Sequence, residues 1–145
     1  MQSQKVNRTD SEKIFYSIKN VSGSSMAKNQ GAVLACTGNS ADGVNAVDPV
    51  DTSFMGWVGI VDADIVDTGY GRVQCWGYRD SVLLSHEGTS VTVTIGDVLH
   101  LVTGQAGLNT STAEALSTMG SKYVVCLQTN ELSAVAYVKG LIRCI

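Results

Sequence analysis

The sequence predicts a mainly β fold: a small β-barrel or sandwich with one short helix and an extended N-terminal arm. Three observations carry this expectation. Apolar residues either alternate with polar ones or run in short blocks, the patterns of half-buried and fully buried strands. Gly, Asn, Asp and Ser punctuate these blocks at short intervals, as turns require. Only one stretch, residues 111–119, carries a helix signature.

The chain is organised around Gly56 to Leu84. Gly56 to Val61 is an apolar run with no helical period. Arg72 to Tyr78 alternates, with Val73 and Cys75 facing one way and Arg72, Gln74 and Trp76 the other. Between them, Asp62 to Gly71 holds three aspartates and two glycines. Aspartate bonds its own backbone and glycine tolerates positive φ, so this is a tight connection between two strands.

The other elements follow in order. Residues 1–13 are polar and mixed in charge. Ile14, Tyr16 and Ile18 alternate with Phe15, Ser17 and Lys19, a short strand, and Gly23-Ser24-Ser25 reads as a flexible joint. Residues 1–30 therefore form an arm, and residues 31–145 the β-rich domain. An ordinary first strand of the domain is the alternative for residues 14–18. Ala32 to Cys36 is a strand, and Thr37 to Thr52 a long loop with the only proline, Pro49. The central strand breaks at Arg79-Asp80 and resumes over Val82 to Ser85. Val91, Val93 and Ile95 give a strand one dry face. Gly96-Asp97 turns into a buried-type strand, Val98 to Val102. Ser111-x-x-Glu114 is a capping box that opens the helix, and Gly120 closes it. Tyr123 to Gln128 is a strand, Asn130-Glu131 a turn, and Ala134 to Ile145 one long strand or two, broken at Gly140.

Composition limits the function. The 145 residues suit one domain with a real core. Charged residues are 16%, low against the roughly 25% usual for soluble domains, which points to surface hidden against partners. Net charge is −3 and no basic patch occurs, so direct nucleic-acid binding is not expected. No apolar run approaches the ~20 residues of a membrane-spanning helix, and the polar N-terminus is no signal peptide. Cys36, Cys75, Cys126 and Cys144 form no C-x-x-C pair, and the first three sit in strand patterns as buried, reduced thiols. Three glycan-acceptor patterns, at Asn7, Asn20 and Asn109, carry no weight without a secretory signal.

Candidate chemistry is sparse. Asp67-Thr68-Gly69 matches the tripeptide of aspartic proteases, in which two carboxylates share a proton at a dimer interface. Tyr70 follows where that family prefers alanine, and a turn explains Asp-Thr-Gly equally well. Asp62, Asp64 and Asp67 with Gly69 approach a calcium loop, but the third ligand is one position late and no closing glutamate follows. Whether this acidic turn holds a cation stays open. His86, His100 and the cysteines lack compact zinc spacing, and no phosphate loop or dinucleotide fingerprint occurs. No catalytic, metal or cofactor residues are therefore expected, and the chain is not expected to be an enzyme. Trp76 and Tyr78, beside Arg72 and Arg79, are a candidate subunit interface, because exposed aromatics with arginine anchor protein partners.

Gly56 to Leu84 also resembles the small head decoration, or cement, proteins of tailed bacteriophages. The residues that carry the resemblance are Gly59-Ile60-Val61-Asp62, Thr68-Gly69-Tyr70-Gly71 and Arg72-Val73-Gln74-Cys75-Trp76-Gly77. The turn Ile95-Gly96-Asp97-Val98-Leu99 and the closing strands also fit, so the match covers roughly residues 31–145. The resemblance implies a β-tulip-like barrel and a non-enzymatic virion protein, assembled in the host cytoplasm and bound to the capsid exterior as a homotrimer. Its partner would be the major capsid protein, whose subunits it bridges against internal pressure. Ile14, Phe15, Tyr16 and Ile18 would be the arm's capsid contacts, pairing with an exposed sheet edge. Two other readings stay open: a retroviral-type aspartic protease using Asp67, and another β-rich virion component such as a head fibre base or tail protein.

Overall fold

The computed structural model describes residues 12–35, 43–49, 56–85, 91–102, 104–110, 122–132 and 136–144. They form eleven strands: β1 (Ile14–Asn20), β2 (Gly31–Leu34), β3 (Asn45–Val47), β4 (Trp57–Val61), β5 (Tyr70–Leu84), β6 (Val91–Val93), β7 (Val98–Leu101), β8 (Leu108–Thr110), β9 (Tyr123–Cys126), β10 (Asn130–Leu132) and β11 (Ala136–Arg143). The fold is mainly β, as the sequence predicts. The helix expected at residues 111–119 lies outside the described residues, and among those there is no α-helix.

Nine strands make one sheet in the order β1-β3-β2-β4-β5-β11-β9-β7-β8, and both of its ends return to β5. β1 pairs antiparallel with β5 from Ile14↔Trp76 to Lys19↔Tyr70. β8 meets β5 in parallel at Leu84↔Leu108. The sheet thus closes twice, into two rings that share one 15-residue strand. At about 3.3 Å per residue β5 is near 50 Å long, enough to serve both. β6 and β10 form a separate two-stranded ribbon.

Each ring has its own apolar filling. Ile18, Met26, Ala32, Ala46, Val58, Val61, Ile65 and Val73 form one buried cluster. The larger cluster includes Val33, Trp57, Ile60, Cys75, Val82, Leu84, Leu99, Leu101, Val124 and Ile142. β4 lies between the two, which explains why its sequence shows no alternation: all five residues are buried. Trp57 and Ile60 face one cluster, Val58 and Val61 the other. That spacing needs an extra residue, and the β2–β4 register does slip between Ala32 and Val33, where Gly59 has φ 148°. A bulge of this kind re-aims the residues beyond it.

Several local expectations are corrected by pairing that only the tertiary fold supplies. Residues 14–20 lie inside the sheet as β1, with Ile18 in the first cluster, which matches the ordinary first strand of the two readings given for this stretch and not a free arm. The Gly23-Ser24-Ser25 joint is tied down instead of free. Asn20, wholly buried, donates to Ser24 O (2.7 Å) and Ile65 O (2.9 Å) and accepts from Ser22 N (2.9 Å) and Ser22 Oγ (2.7 Å). Met26 and Ile65 exchange two backbone bonds of 2.9 Å. The break expected at Arg79-Asp80 is a register slip opposite Val138/Gly140 within an unbroken β5. β11 likewise runs through Gly140, where a Cβ would crowd Val124. Asn130-Glu131, read as a turn, belongs to β10. Ile95 lies in the turn after β6 and is exposed, so the dry face ends at Val93. β3 lies within the long loop expected at residues 37–52.

Asn20 makes a first prediction possible. Asn20→Ala removes four bonds from a buried polar site and leaves Ile65 O without its side-chain donor. Unsatisfied buried groups cost about 1–3 kcal/mol each, so the variant should lose about 2 kcal/mol in urea denaturation. An unchanged midpoint would mean that the turn is held by something else.

Candidate binding surface

The eight residues singled out from sequence scatter in burial. Ile14 (38% exposed) and Tyr16 (48%) are open, Phe15, Trp76 and Tyr78 are half-buried, and Arg72 is exposed. Ile18 (1%) and Arg79 (7%) are buried, which corrects both as contact residues in this conformation. Ile18 fills the first ring. Arg79 turns inward because the slip beside it breaks the two-residue alternation.

Arg79 is the hub of a buried polar cluster. Its Nη2 donates to Val61 O (2.7 Å) and Asn29 Oδ1 (2.8 Å), its Nε to Ser81 O (3.0 Å), and its Nη1 to Gln74 Oε1 (3.3 Å). Asp62 stands 3.4 Å from Nη1. Burial pushes the guanidinium's pKa down, and Asp62 offsets part of that. Gln74, expected to face outward, is also buried and caps Trp76 O (3.1 Å) and Tyr78 O (3.0 Å). The cluster floors a cleft of about 260 Å³ whose rim includes Lys13, Phe15, Lys28 and Asp80. With every guanidinium nitrogen engaged by the protein, this floor holds strands together and offers no open donor to a ligand.

The acidic turn does not gather its carboxylates. Asp62 pairs with Arg72 (2.9 Å) and Arg79, Asp64 accepts from Lys28 N (2.7 Å), and Asp67 accepts from Gly23 N (3.1 Å). Among the described residues no three His, Cys, Asp or Glu side chains converge on a possible metal position. Asp67 is exposed and sits in a turn where Thr68 has φ 61°. Cys75, Cys126 and Cys144 are free and buried, and burial raises the pKa of each thiol. His100 is buried, while His86 and Cys36 lie outside the described residues.

What the fold does assemble is an outward row across four strands. Ile14 of β1 stands opposite Trp76 of β5, Trp76 opposite Arg143 of β11, and Arg143 opposite Tyr123 of β9. The Arg143 guanidinium lies 5.4 Å from the Trp76 ring and 5.3 Å from the Tyr123 ring, and its Nη1 donates to Tyr123 Oη (2.7 Å). Each cation–π contact of this kind contributes about 0.5–1 kcal/mol at an exposed site and fixes the cation's direction. Two neighbouring pairs on β1 and β5 repeat the chemistry: Arg72 is 5.1 Å from the Phe15 ring and Lys19 is 5.9 Å from the Tyr70 ring. Tyr78 instead donates to Asp80 (2.6 Å), and that bond raises its pKa.

Sequence reading found Ile14 and Trp76 but missed Arg143 and Tyr123. The available signal was Arg143 itself, a lone charge inside the apolar run Leu141 to Ile145. Comparison with protein-family models, with curated proteins and with solved structures found no match to this chain.

Proposed function

We propose that the protein is a virion structural component that binds the outer surface of a phage capsid and stabilises it by bridging major capsid subunits. The observation that carries this reading is the Ile14–Trp76–Arg143–Tyr123 row. It is aromatic and cationic, it crosses four paired strands, and Arg143 is already clamped between two rings. An anchor held in place before binding loses little freedom on docking, and Trp, Tyr and Arg dominate the energetics of protein contacts. The low charge content and the exposed Tyr16, Tyr70 and Tyr137 extend the same character over the surface. A homotrimer would present three such rows at once, and effective concentration would multiply modest single contacts. The resemblance of residues 31–145 to decoration proteins supplies the capsid as partner.

The test uses expanded, DNA-filled phage shells lacking their decoration, with binding followed by co-sedimentation. Arg143→Glu should weaken binding about tenfold or more, the scale of a lost anchor. Its melting temperature should fall by only a few degrees, the scale of two cation–π contacts at an exposed site. Wild type that ignores every such shell, or an Arg143→Glu protein that binds as tightly as wild type, would overturn the reading.

A further inference from the structure

Cys75 on β5 and Cys144, just past the end of β11, face each other across neighbouring strands. Arg143 stands opposite Trp76 in antiparallel register, and Cys144 N donates to Cys75 O at 2.9 Å, which holds Cys144 opposite Cys75 one step past the last ladder pair. A hydrogen-bonded antiparallel pair keeps its Cα atoms about 5.5 Å apart, within the roughly 4.4–6.8 Å that disulfides span. Arg143 and Trp76 meet on the outer face, so the next pair points inward, and both sulfurs belong to the larger core cluster. Both are free thiols. Among the described residues Cys126 has no such cysteine opposite it, because Gly140 stands there on β11.

Both thiols are buried, Cys75 at 0% and Cys144 at 3% exposure, and what separates them is that only Cys144 borders a cleft. Cys144 lines a cleft of about 420 Å³, together with Tyr16, Trp57 and Lys122. Cys75 is fully buried and donates to Ile14 O at 3.3 Å. We propose that Cys75 and Cys144 are an oxidisable cross-strand pair, which hydrogen peroxide converts to a disulfide tying β11 to β5. The Cys144 sulfur attacks a peroxide oxygen and the O–O bond breaks. Water leaves with the thiol proton, and Cys144 becomes a sulfenic acid. The Cys75 sulfur then attacks the Cys144 sulfur, the S–O bond breaks, and a second water leaves with the Cys75 proton. Peroxide gains the two electrons that the two thiols lose. Burial holds Cys144 in its thiol form while the Lys122 ammonium pulls the other way, so closure is slow at neutral pH and faster in alkali. This pairing does not depend on the capsid reading.

The experiment treats the reduced, folded 145-residue chain with hydrogen peroxide at mildly alkaline pH, below its melting temperature. Free thiols are then blocked, and peptides are mapped without reduction. A single intramolecular Cys75–Cys144 link is expected, with a melting temperature that rises on oxidation and returns with dithiothreitol. Cys36→Ser and Cys126→Ser should keep the link, and Cys144→Ser should lose it together with the shift. Links to Cys36 or Cys126, links between chains, or oxidation of Cys144 to its sulfinic acid beside an intact Cys75 thiol would overturn the assignment. Two thiols still open to alkylation after treatment would overturn it as well. Because the map is read on wild type, the result does not rely on any variant folding.

Discussion

Arg79→Met should lower the unfolding free energy by about 3–5 kcal/mol, the range for removing one partner from a buried charged network. In a chain of this size that is a fall of about 10–16 °C in melting temperature. Methionine keeps much of the stem's packing but none of the donors. Val61 O and Asn29 Oδ1 lose their shortest bonds to the guanidinium, and Gln74 Oε1 loses a charged donor. Those acceptors belong to β4, to the segment before β2 and to β5, so the loss loosens three elements at once. Asp62→Asn is the informative contrast. Asp62 keeps 28% of its side chain exposed, and its shorter contact is to Arg72, which is itself 64% exposed. Exposed pairs contribute about 0–1 kcal/mol, so this variant should lose about 1 kcal/mol at most. If Arg79→Met melts like wild type and only weakens self-association, Arg79 is the interface residue its sequence position suggests, and the buried cluster is not what joins these strands.

Arg79 also marks where the sequence stops being legible. A two-residue repeat places positions 72, 74 and 76 on one face, and that logic holds for Arg72. It fails for Gln74 because the β1–β5 register shifts between Ile14 and Phe15, opposite Gln74 to Trp76, and Val73 and Cys75 on either side of it go to different core clusters. The strands rich in β-branched and aliphatic residues, β4, β7, β9 and β11, announce themselves because burial requires those residues. β3 (Asn-Ala-Val), β8 (Leu-Asn-Thr) and β10 (Asn-Glu-Leu) do not: three residues carry no period, and their pairing partners lie elsewhere in the chain. The same limit hides half of the surface row. Ile14 and Trp76 stand out by local pattern, whereas Arg143 and Tyr123 become neighbours only through the registers of β11 with β5 and β9. The two closures onto β5 were invisible for the same reason, since register between distant segments is not written in either segment alone.

Gly59→Ala should be about as damaging, with a loss of about 3 kcal/mol or more, and the reason can be separated from glycine's general freedom. Two costs act at this position. Its φ of 148° is one that L side chains rarely adopt, and a Cβ there would run into the Gln74 carbonyl of the paired strand. Backbone strain of the first kind costs about 1–3 kcal/mol. The second forces β4 away from β5 and disturbs the bulge that sends Trp57 and Ile60 to one core and Val58 and Val61 to the other. Overpacking of that kind adds about 1–3 kcal/mol. Gly96 isolates the first cost: its φ is 96°, and a Cβ there would meet nothing within 4 Å. Gly96→Ala should therefore lose only about 1 kcal/mol, while Gly59→Ala loses at least three times as much and also lets Trp57 fluorescence shift toward that of a solvated indole. Equal losses at the two positions would mean that β4 can move off Gln74 at little cost, and that the partition of the two cores does not rest on this bulge.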